Sequence, residues 1–560
     1  MDRQAAIEEL TAEGQPYELI SVDLYGRPVR AFKNAPPTLR HLYSESLSEC
    51  PFLVYEDESL SFSEVWHTAS RTARILVEEY GIKHGDRVAI SMRNYPEWIL
   101  AFEAVTSIGA IAVAMNALWQ PGEMAYGLED SGARVLFADD ERLERLSQCE
   151  SLPESLEGIL CVRTENLYGL QGARRLAEVL EAYPEGPMPE AEIHPNDDAT
   201  IFYTSGSTGH PKGVVACHRN ILSALLSWEL DMRSDLLVKG QPPSESSSQA
   251  AILLGVPLFH VTGSHAVFLL SYRAQRRIVS MYKWDVAKAA DLIEQEQINA
   301  VIAPAAMTGD LVDFARENDR DLSSLALVGG GGAPRAPSQV KGIDKTFKRA
   351  VPNTGWGMTE TNAIGSGISG PDYLGRPESS GRASAVLDLR IVDEDGAELP
   401  SGERGELQVR GTSVVRGYWN RPDANAETFA EGWLRTGDVA YLDDEGFLFI
   451  VDRIKDLVIR GGENIGCGAV EAAILEHPDV IEASVYGVPD ERLGEEVGAT
   501  LYVDERLTQE ELMSFLEPRL ARFEIPRYVR FSEGPLPRIA SGKILKRQLR
   551  EEALAELQKA

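Results

Sequence analysis

Between two apolar runs the chain carries the stretch YTSGSTGHPKG, Tyr203 to Gly213. Its glycines Gly206, Gly209 and Gly213 have no Cβ to hold backbone amides away from an anion. Thr204, Ser205, Ser207 and Thr208 add hydroxyl donors, and Lys212 adds a positive charge. This is the chemistry of a polyphosphate cradle. A polar run of this kind can also be a flexible Ser/Gly linker. The flanks favour the cradle, because Ala199 to Phe202 before it and Val214-Val215 after it predict a strand, a tight loop and a second strand. The Walker pattern is excluded: Pro211 precedes Lys212 and Gly213 follows it, where that loop requires Gly before the lysine and Ser or Thr after it.

Further blocks follow in chain order. They are PLFHVTG (Pro257 to Gly263), GGGGAP (Gly329 to Pro334), GWGMTE (Gly355 to Glu360), GYWNRP (Gly417 to Pro422) and GWLRTGD (Gly432 to Asp438). Then come GFLFIVDRIKD (Gly446 to Asp456), GGENI (Gly461 to Ile465) and PRIASGKILKRQLR (Pro537 to Arg550). Together they resemble the adenylate-forming superfamily of acyl- and aryl-CoA synthetases, peptide-synthetase adenylation domains and beetle luciferases. The resemblance covers nearly the whole chain. In texture it is most like the medium- and long-chain fatty acyl-CoA synthetases.

A chain of 560 residues exceeds what one hydrophobic core usually holds, so at least two domains are expected. Strand-like runs at Arg87 to Met92, Ala110 to Met115 and Arg134 to Ala138 alternate with helical ones, with Pro96 opening a helix whose apolar face runs over Trp98 to Val105. The same unit recurs at Ile298 to Ala303 and Leu325 to Val328. This is βαβ patterning, hence α/β with parallel sheets. After about residue 380, short strands at Leu387 to Val392, Glu406 to Arg410 and Phe447 to Val451 are punctuated by Asp395-Gly396 and Glu445-Gly446, which predicts a small antiparallel β subdomain. Beyond Asp456 a helix (Ala469 to Glu476), two strands (Ile481 to Tyr486, Val497 to Val503) and a helix (Gln509 to Leu520) predict a smaller α+β unit. The expected division is a large domain at 1–454 and a mobile C-terminal domain at 455–560, joined by a hinge near Lys455. Lys239 to Gln249 reads as a mobile surface loop.

No apolar run is long enough for a membrane span, and the acidic start MDRQAAIEELTAEG lacks a signal-peptide core, so a cytoplasmic location is expected. The five cysteines lack CxxC spacing, which argues against a zinc site and a disulfide framework. Cys467, beside GGENI, is read as a small loop-lining residue, with a catalytic thiol as the alternative. A net charge of −32 argues against nucleic acid as a partner. Arg538, Lys543, Lys546, Arg547 and Arg550 supply local positive charge, either for anionic substrates or simply as a solvated helix face.

The resemblance implies ATP, Mg²⁺ and CoA as cofactor and co-substrates, with a small-molecule carboxylic acid as partner. It implies that Thr204, Ser205, Gly206, Ser207, Thr208, Gly209 and Lys212 hold the β- and γ-phosphates. Thr359 would face the α-phosphate and Glu360 would bind Mg²⁺, which favours one or two carboxylates with phosphate oxygens and water. Trp356, within Thr354-Gly355-Trp356-Gly357-Met358, would lie against adenine, opposite Gly332-Ala333-Pro334. Asp438 would take the ribose hydroxyls, backed by Arg453. Lys543 would bridge the carboxylate and α-phosphate during adenylation, while Gly461, Gly462 and Glu463 would border the pantetheine tunnel after rotation about Lys455. His260 would sit near the acyl carboxylate or the CoA entry; a satisfied core histidine is the competing reading.

Three positions depart from the pattern. Asp452 replaces the glycine usual before the hinge arginine, although some CoA ligases also have Asp. Thr354 stands where a carboxylate or amide often meets the adenine amino group. Gly466-Cys467-Gly468 is unusually small, which predicts a looser loop at the CoA tunnel.

The expected activity is an AMP-forming acyl-CoA synthetase. Small residues at Gly263, Gly329 to Gly332 and Ala363 leave room for a long chain or a ring; resemblance favours a fatty acid, with an aryl or other organic acid as the alternative. A stand-alone adenylation enzyme loading a carrier protein is the runner-up, and no carrier domain follows before Ala560. A non-catalytic nucleotide-binding protein is disfavoured because Lys543, Glu360 and Asp438 are all present. A homodimer is expected on resemblance alone.

Overall fold

The computed structural model describes residues 1–557, apart from 205–209, 242–247, 319, 333–334, 455, 461–462, 491, 505 and 539–542. The expected α/β architecture is observed: a large N-terminal domain built on parallel sheets and a smaller C-terminal domain. In the 8-stranded sheet, Arg87–Ser91 runs parallel to Ile111–Ala114 and Val135–Asp139, and Ile111–Ala114 runs parallel to Asp198–Thr204. Asp198–Thr204 then turns back into the antiparallel Lys212–Cys217, with Thr204 opposite Lys212. The two apolar flanks therefore pair as antiparallel strands, as predicted, while Ser205 to Gly209 between them lie outside the described residues.

The 9-stranded sheet carries the parallel run Ala251–Leu254, Ala300–Ile302, Leu327–Gly329 and Val351–Trp356. One hydrophobic core joins the two sheets through helices Phe62–Glu78, Pro96–Ser107 and His218–Val238. Ser61 starts the first of these with a capping box, its Oγ accepting from the Glu64 amide at 3.2 Å while Glu64 accepts from the Ser61 amide at 2.7 Å. Helix Pro96–Ser107 differs from the one-faced helix expected. Trp98 through Ser107 are all buried, because the helix lies between layers and has no solvent side.

An antiparallel 5-stranded sheet follows, including Leu387–Val392, Gly405–Gly411, Trp433–Leu442 and Leu448–Arg453. Glu445-Gly446 closes a tight hairpin, with the Asp443 amide on the Phe447 carbonyl at 3.0 Å. Asp395-Gly396 also lies in a tight turn, but it closes only on the Val392–Glu398 bridge, and Gly405–Gly411 begins after a further loop. The C-terminal unit has its own sheet, with Val480–Asp490 and Gly494–Val503 antiparallel and Tyr528–Ser532 parallel to the latter. Its core of Val458, Ile465, Val470, Ile474, Val485, Val497 and Leu512 is separate from the large core. Most of the expected 239–249 loop lies outside the described residues; Lys239 and Gly240 close the long helix before it. Among the described residues no helix is long and apolar enough to cross a membrane.

Candidate active site

The strand pair flanking the expected phosphate loop is braced from three sides. Pro211 O accepts from the Tyr126 hydroxyl at 3.1 Å, and the Tyr126 ring stacks on His210 at 4.3 Å. Asp130 gathers the Tyr203 hydroxyl at 2.8 Å and Arg421 at 2.7 Å. Gly213 O accepts from the Trp419 amide at 2.7 Å. The GYWNRP block is thus the buttress of the loop, a role its sequence did not disclose. Ser205 to Gly209 lie outside the described residues.

Lys212 projects over the Tyr418 ring, 4.9 Å from its centroid, and the Tyr418 hydroxyl donates to Glu360 Oε1 at 2.8 Å. Glu360 is only 6% exposed, and burial raises its pKa; the Tyr418 hydrogen bond and the charges of Arg453 and Lys212 oppose that rise. Thr359 and Glu360 sit in the turn Thr359–Thr361, immediately before Asn362 at φ 58° and Ala363 at φ 64°. Two consecutive non-glycine residues in the left-handed region are costly, by about 1–3 kcal/mol each, and persist only when their surroundings hold them. Here Asn362 Nδ2 donates to Ser413 O at 2.8 Å, and its Oδ1 meets His265 Nε2 at 3.1 Å. His265 lies in the π-helical turn Thr262–Leu269 and is buried, so its pKa is pushed down to about 4. Tyr418, Asn362 and His265 are the site-shaping residues that sequence reasoning missed. Of the three only Tyr418 lies in a block singled out from the sequence, GYWNRP, and that block gave no hint of its contact with Glu360.

Strand Val351–Trp356 delivers Thr354, Gly355 and Trp356 to the same cleft. A Cβ on Gly329 would lie 1.7 Å from Asn353 Oδ1, so the glycine run packs directly on this strand. Thr354 Oγ1 donates to Gly330 O at 2.9 Å, which accounts for the unusual threonine: it fastens the glycine loop. Gly332 is exposed with open space at its Cβ position, whereas Ala333 and Pro334 lie outside the described residues. Gly357 is crowded by the Ala363 carbonyl, and the Met358 amide donates to Thr361 Oγ1 at 3.1 Å.

The Trp356 indole donates to Asp438 Oδ2 at 2.7 Å, and Arg453 Nε reaches Asp438 Oδ1 at 2.7 Å. Burial raises the Asp438 pKa, opposed by Arg453, Trp356 and Lys543. Lys543 is therefore within electrostatic reach of this carboxylate. Desolvation and the like charges of Arg453 and Lys546 hold its pKa below the usual lysine value, while Asp456 and Asp438 pull the other way. The neighbouring cations are occupied: Lys546 by Glu471 at 3.1 Å, Arg547 by Glu551 at 2.8 Å, Arg550 by Glu495 at 3.2 Å and Arg538 by Glu482 at 2.6 Å. Among the described residues Lys543 has no ion-pair partner, and Asp456 and Asp438 are the carboxylates that attract it.

His260 Nε2 is buried with no hydrogen-bond partner, and burial pushes its pKa down to about 4. A neutral imidazole with an unused nitrogen is not a satisfied core histidine; it has capacity for a ligand. Lys455, Gly461 and Gly462 lie outside the described residues, and Glu463 begins the short strand Glu463–Ile465.

Gly466-Cys467-Gly468 corrects an expectation. This segment is not loose: a Cβ on Gly466 would lie 3.0 Å from Val451 Cγ1, and small residues let the helix Cys467–Ile474 start against the strand Leu448–Arg453. The Cys467 thiol is buried, donates to Asp456 O at 3.0 Å and has its pKa raised by burial, as a structural cysteine does.

The donor set fits a nucleotide with Mg²⁺. Among the described residues no group of three or more His, Cys, Asp or Glu side chains could hold a metal alone, so Glu360 would share the ion with phosphate oxygens and water.

Comparison with known proteins agrees with this geometry. The family described as AMP-binding enzyme matches residues 44–419, and the AMP-binding enzyme C-terminal domain matches residues 469–543. A 2-succinylbenzoate–CoA ligase of Bacillus velezensis is 33% identical over 507 residues, spanning 90% of this chain and 96% of that protein. The long-chain-fatty-acid–CoA ligase FadD13 of Mycobacterium tuberculosis is 32% identical over 509 residues, spanning 90% and 95%. The o-succinylbenzoate CoA synthetase MenE from Bacillus subtilis, solved with ATP and magnesium ion, superposes with a TM-score of 0.76 at 29% identity, over 92% of this chain and 99% of that one.

Proposed function

We propose a reaction for this chain from the premise that it belongs to the AMP-binding enzyme family: activation of a medium- or long-chain fatty acid as its acyl-adenylate, then transfer of the acyl group to CoA. The chain is an AMP-forming CoA ligase, using ATP, Mg²⁺, CoA and a carboxylic acid. In the first step a carboxylate oxygen attacks the α-phosphorus and pyrophosphate leaves. In the second the CoA sulfur attacks the acyl carbonyl, its proton is lost, and AMP leaves.

The observation that carries the assignment of residues is the convergence of Lys543, Asp438, Arg453, Glu360 and Lys212 on one cleft. Negative charge grows on the phosphorus during adenylation, so oriented cations and dipoles matter more than a general base. Lys543 bridges the attacking carboxylate and the α-phosphate. Thr204, Lys212 and the 205–209 loop hold the outer phosphates, Glu360 takes Mg²⁺, and Thr359 donates to the α-phosphate. Trp356 and Gly332 to Pro334 flank adenine. Asp438, oriented by Arg453, takes the ribose hydroxyls. The unpaired His260 nitrogen faces the carboxylate end of the acid. The domains divide at 1–454 and 455–560, and rotation about Lys455 exchanges Lys543 for Gly461 to Glu463 at the CoA tunnel. The separate core of the C-terminal unit supports that division.

The acyl class rests on the FadD13 likeness; the small residues lend it little, since the Cβ positions at Gly263 and Gly329 to Gly331 are filled by packed neighbours and only Gly332 has open space. A second reading, an aryl acid, is favoured by the 33% identity to a 2-succinylbenzoate–CoA ligase. The deciding experiment measures AMP release with ATP, Mg²⁺ and CoA against carboxylates from acetate to palmitate, with benzoate, cinnamate and 2-succinylbenzoate. Turnover rising with alkyl length supports the fatty-acid reading, and turnover confined to the ring acids supports the second. Acid-dependent pyrophosphate without CoA-dependent AMP would point to a carrier protein as acceptor. A cytoplasmic location and a homodimer belong to the same proposal; light scattering tests the dimer and fractionation the location.

A further inference from the structure

Asp452, one of the departures from the family pattern, lies on strand Leu448–Arg453, fixed by pairing to Val439 on the neighbouring strand. Successive side chains of a strand point to opposite faces. Arg453 accordingly turns to Asp438 at the nucleotide side, while Asp452 turns to the start of helix Cys467–Ile474. That helix lacks a cap of its own, because its N-cap residue is Gly466. Asp452 supplies the cap from another segment: Oδ2 accepts from the Cys467 amide and, at 3.4 Å, from the Gly468 amide. A carboxylate satisfying the first amides of a helix is favoured by hydrogen bonding and by the helix dipole.

The capped helix leads to Lys543. Glu471 on its next turn holds Lys546 Nζ at 3.1 Å and the Val485 amide at 2.8 Å. Lys546 begins the helix Lys546–Leu557, three residues beyond Lys543. On the other side, the Leu545 amide donates to Pro537 O at 2.7 Å, and Arg538 bridges to Ile544. The segment bearing Lys543 is thus held through Lys546, Glu471 and the helix to one carboxylate on the far side of the hinge.

We propose that Asp452 is a positioning residue for adenylation: its interdomain helix cap holds the C-terminal domain where Lys543 faces the nucleotide, and the cap is released when the domain turns for thioester formation. This rests on the half-site exchange proposed above. Because Asp452 precedes the hinge and its helix follows it, the cap cannot survive rotation about Lys455.

The test measures both half-reactions separately in full-length Asp452→Ala, Asp452→Asn and Lys543→Ala: acid-dependent pyrophosphate release, and CoA-dependent AMP release from supplied acyl-adenylate. Asp452→Ala should slow adenylation ~5- to 10-fold, the scale of losing a helix cap that biases a two-state equilibrium. Thioester formation should be unchanged or faster, and the KM for ATP unchanged. Asp452→Asn, which keeps an oxygen acceptor, should recover most of the loss. Equal loss in both half-reactions, normal adenylation in Asp452→Ala, or no recovery in Asp452→Asn overturns the proposal. A melting curve of the alanine variant identifies misfolding, and if it misfolds, the Asp452→Asn variant and its half-reactions decide the proposal instead. Lys543→Ala reports on the premise: if it alone is selective for adenylation, half-site exchange stands and the cap fails, whereas equal loss in Lys543→Ala removes the premise.

Discussion

Tyr418 donates its hydroxyl to Glu360 at 2.8 Å while its ring lies beneath the Lys212 ammonium at 4.9 Å, so one side chain links the phosphate-loop lysine to the carboxylate proposed for Mg²⁺. Tyr418→Phe keeps the ring under Lys212 and removes only the donor to Glu360. A hydrogen bond to a charged group contributes about 1.5–3 kcal/mol, so the Mg²⁺ concentration for half-maximal adenylation should shift by roughly one to two orders of magnitude. The shift should be upward, because a buried carboxylate without its donor is harder to ionise. A Mg²⁺ titration of pyrophosphate release checks this, and an unchanged Mg²⁺ requirement would separate Tyr418 from metal binding.

The raised pKa of Glu360 gives a pH dependence of definite sign. If Glu360 is the Mg²⁺ ligand proposed above, only its ionised form would bind the ion, and burial makes ionisation harder. As pH falls, the Mg²⁺ requirement should therefore climb at a pH above that of an ordinary glutamate. Saturating Mg²⁺ should move the acid limb downward, since metal binding stabilises the ionised form. Glu360→Gln should lose the limb together with most adenylation activity.

Much of this architecture is legible in the sequence because the signals are local. Val214-Val215 and Ala199 to Phe202 declare the hairpin around the phosphate loop, and Glu445-Gly446 declares the turn that leads into Asp452 and Arg453. What stays hidden depends on residues distant in sequence. Nothing near Asn362 signals that His265 will hold it, 97 positions away, and nothing near Tyr418 signals Glu360, 58 positions away. The Gly466-Cys467-Gly468 segment hides its role for the same reason: its smallness serves contact with Val451, a neighbour only the fold supplies. Helix Pro96–Ser107 was read as one-faced because its sequence does not state that it will be covered on both sides.

Glu103, inside that helix, offers a stability prediction away from the site. Its Oε1 accepts from the Tyr272 hydroxyl, its Oε2 is buried without a partner, and burial pushes its pKa up to about 8. The folded protein therefore holds a proton here that the unfolded chain releases near the ordinary glutamate value. Between those two pKa values the unfolded state binds fewer protons, so stability falls as pH rises toward 8. Glu103→Gln removes this contribution. Its melting temperature should exceed that of the wild type at pH 8 by more than at pH 5, and a constant difference across that range would contradict the assignment.

Under the proposed half-site exchange, Lys543 is the residue that should separate the two chemical steps most directly. Lys543 is exposed as a residue, but crowding about its ammonium and the like charges of Arg453 and Lys546 lower its pKa below the usual lysine value. If that charge balances the pentavalent phosphorus, pyrophosphate release should decline on the alkaline side below the usual lysine range. Thioester formation from supplied acyl-adenylate should show no such limb from Lys543 if the proposed rotation withdraws it. Lys543→Ala should slow adenylation by at least ~10², the scale for removing one electrostatic partner of a transition state. It should also abolish the alkaline limb and leave the second half-reaction within a few-fold of wild type. Lys543→Arg keeps the charge but replaces a compact ammonium with a planar fork, so it should recover part of the rate and move the alkaline limb beyond the measurable range. A limb that persists in Lys543→Arg would assign the titration to another group.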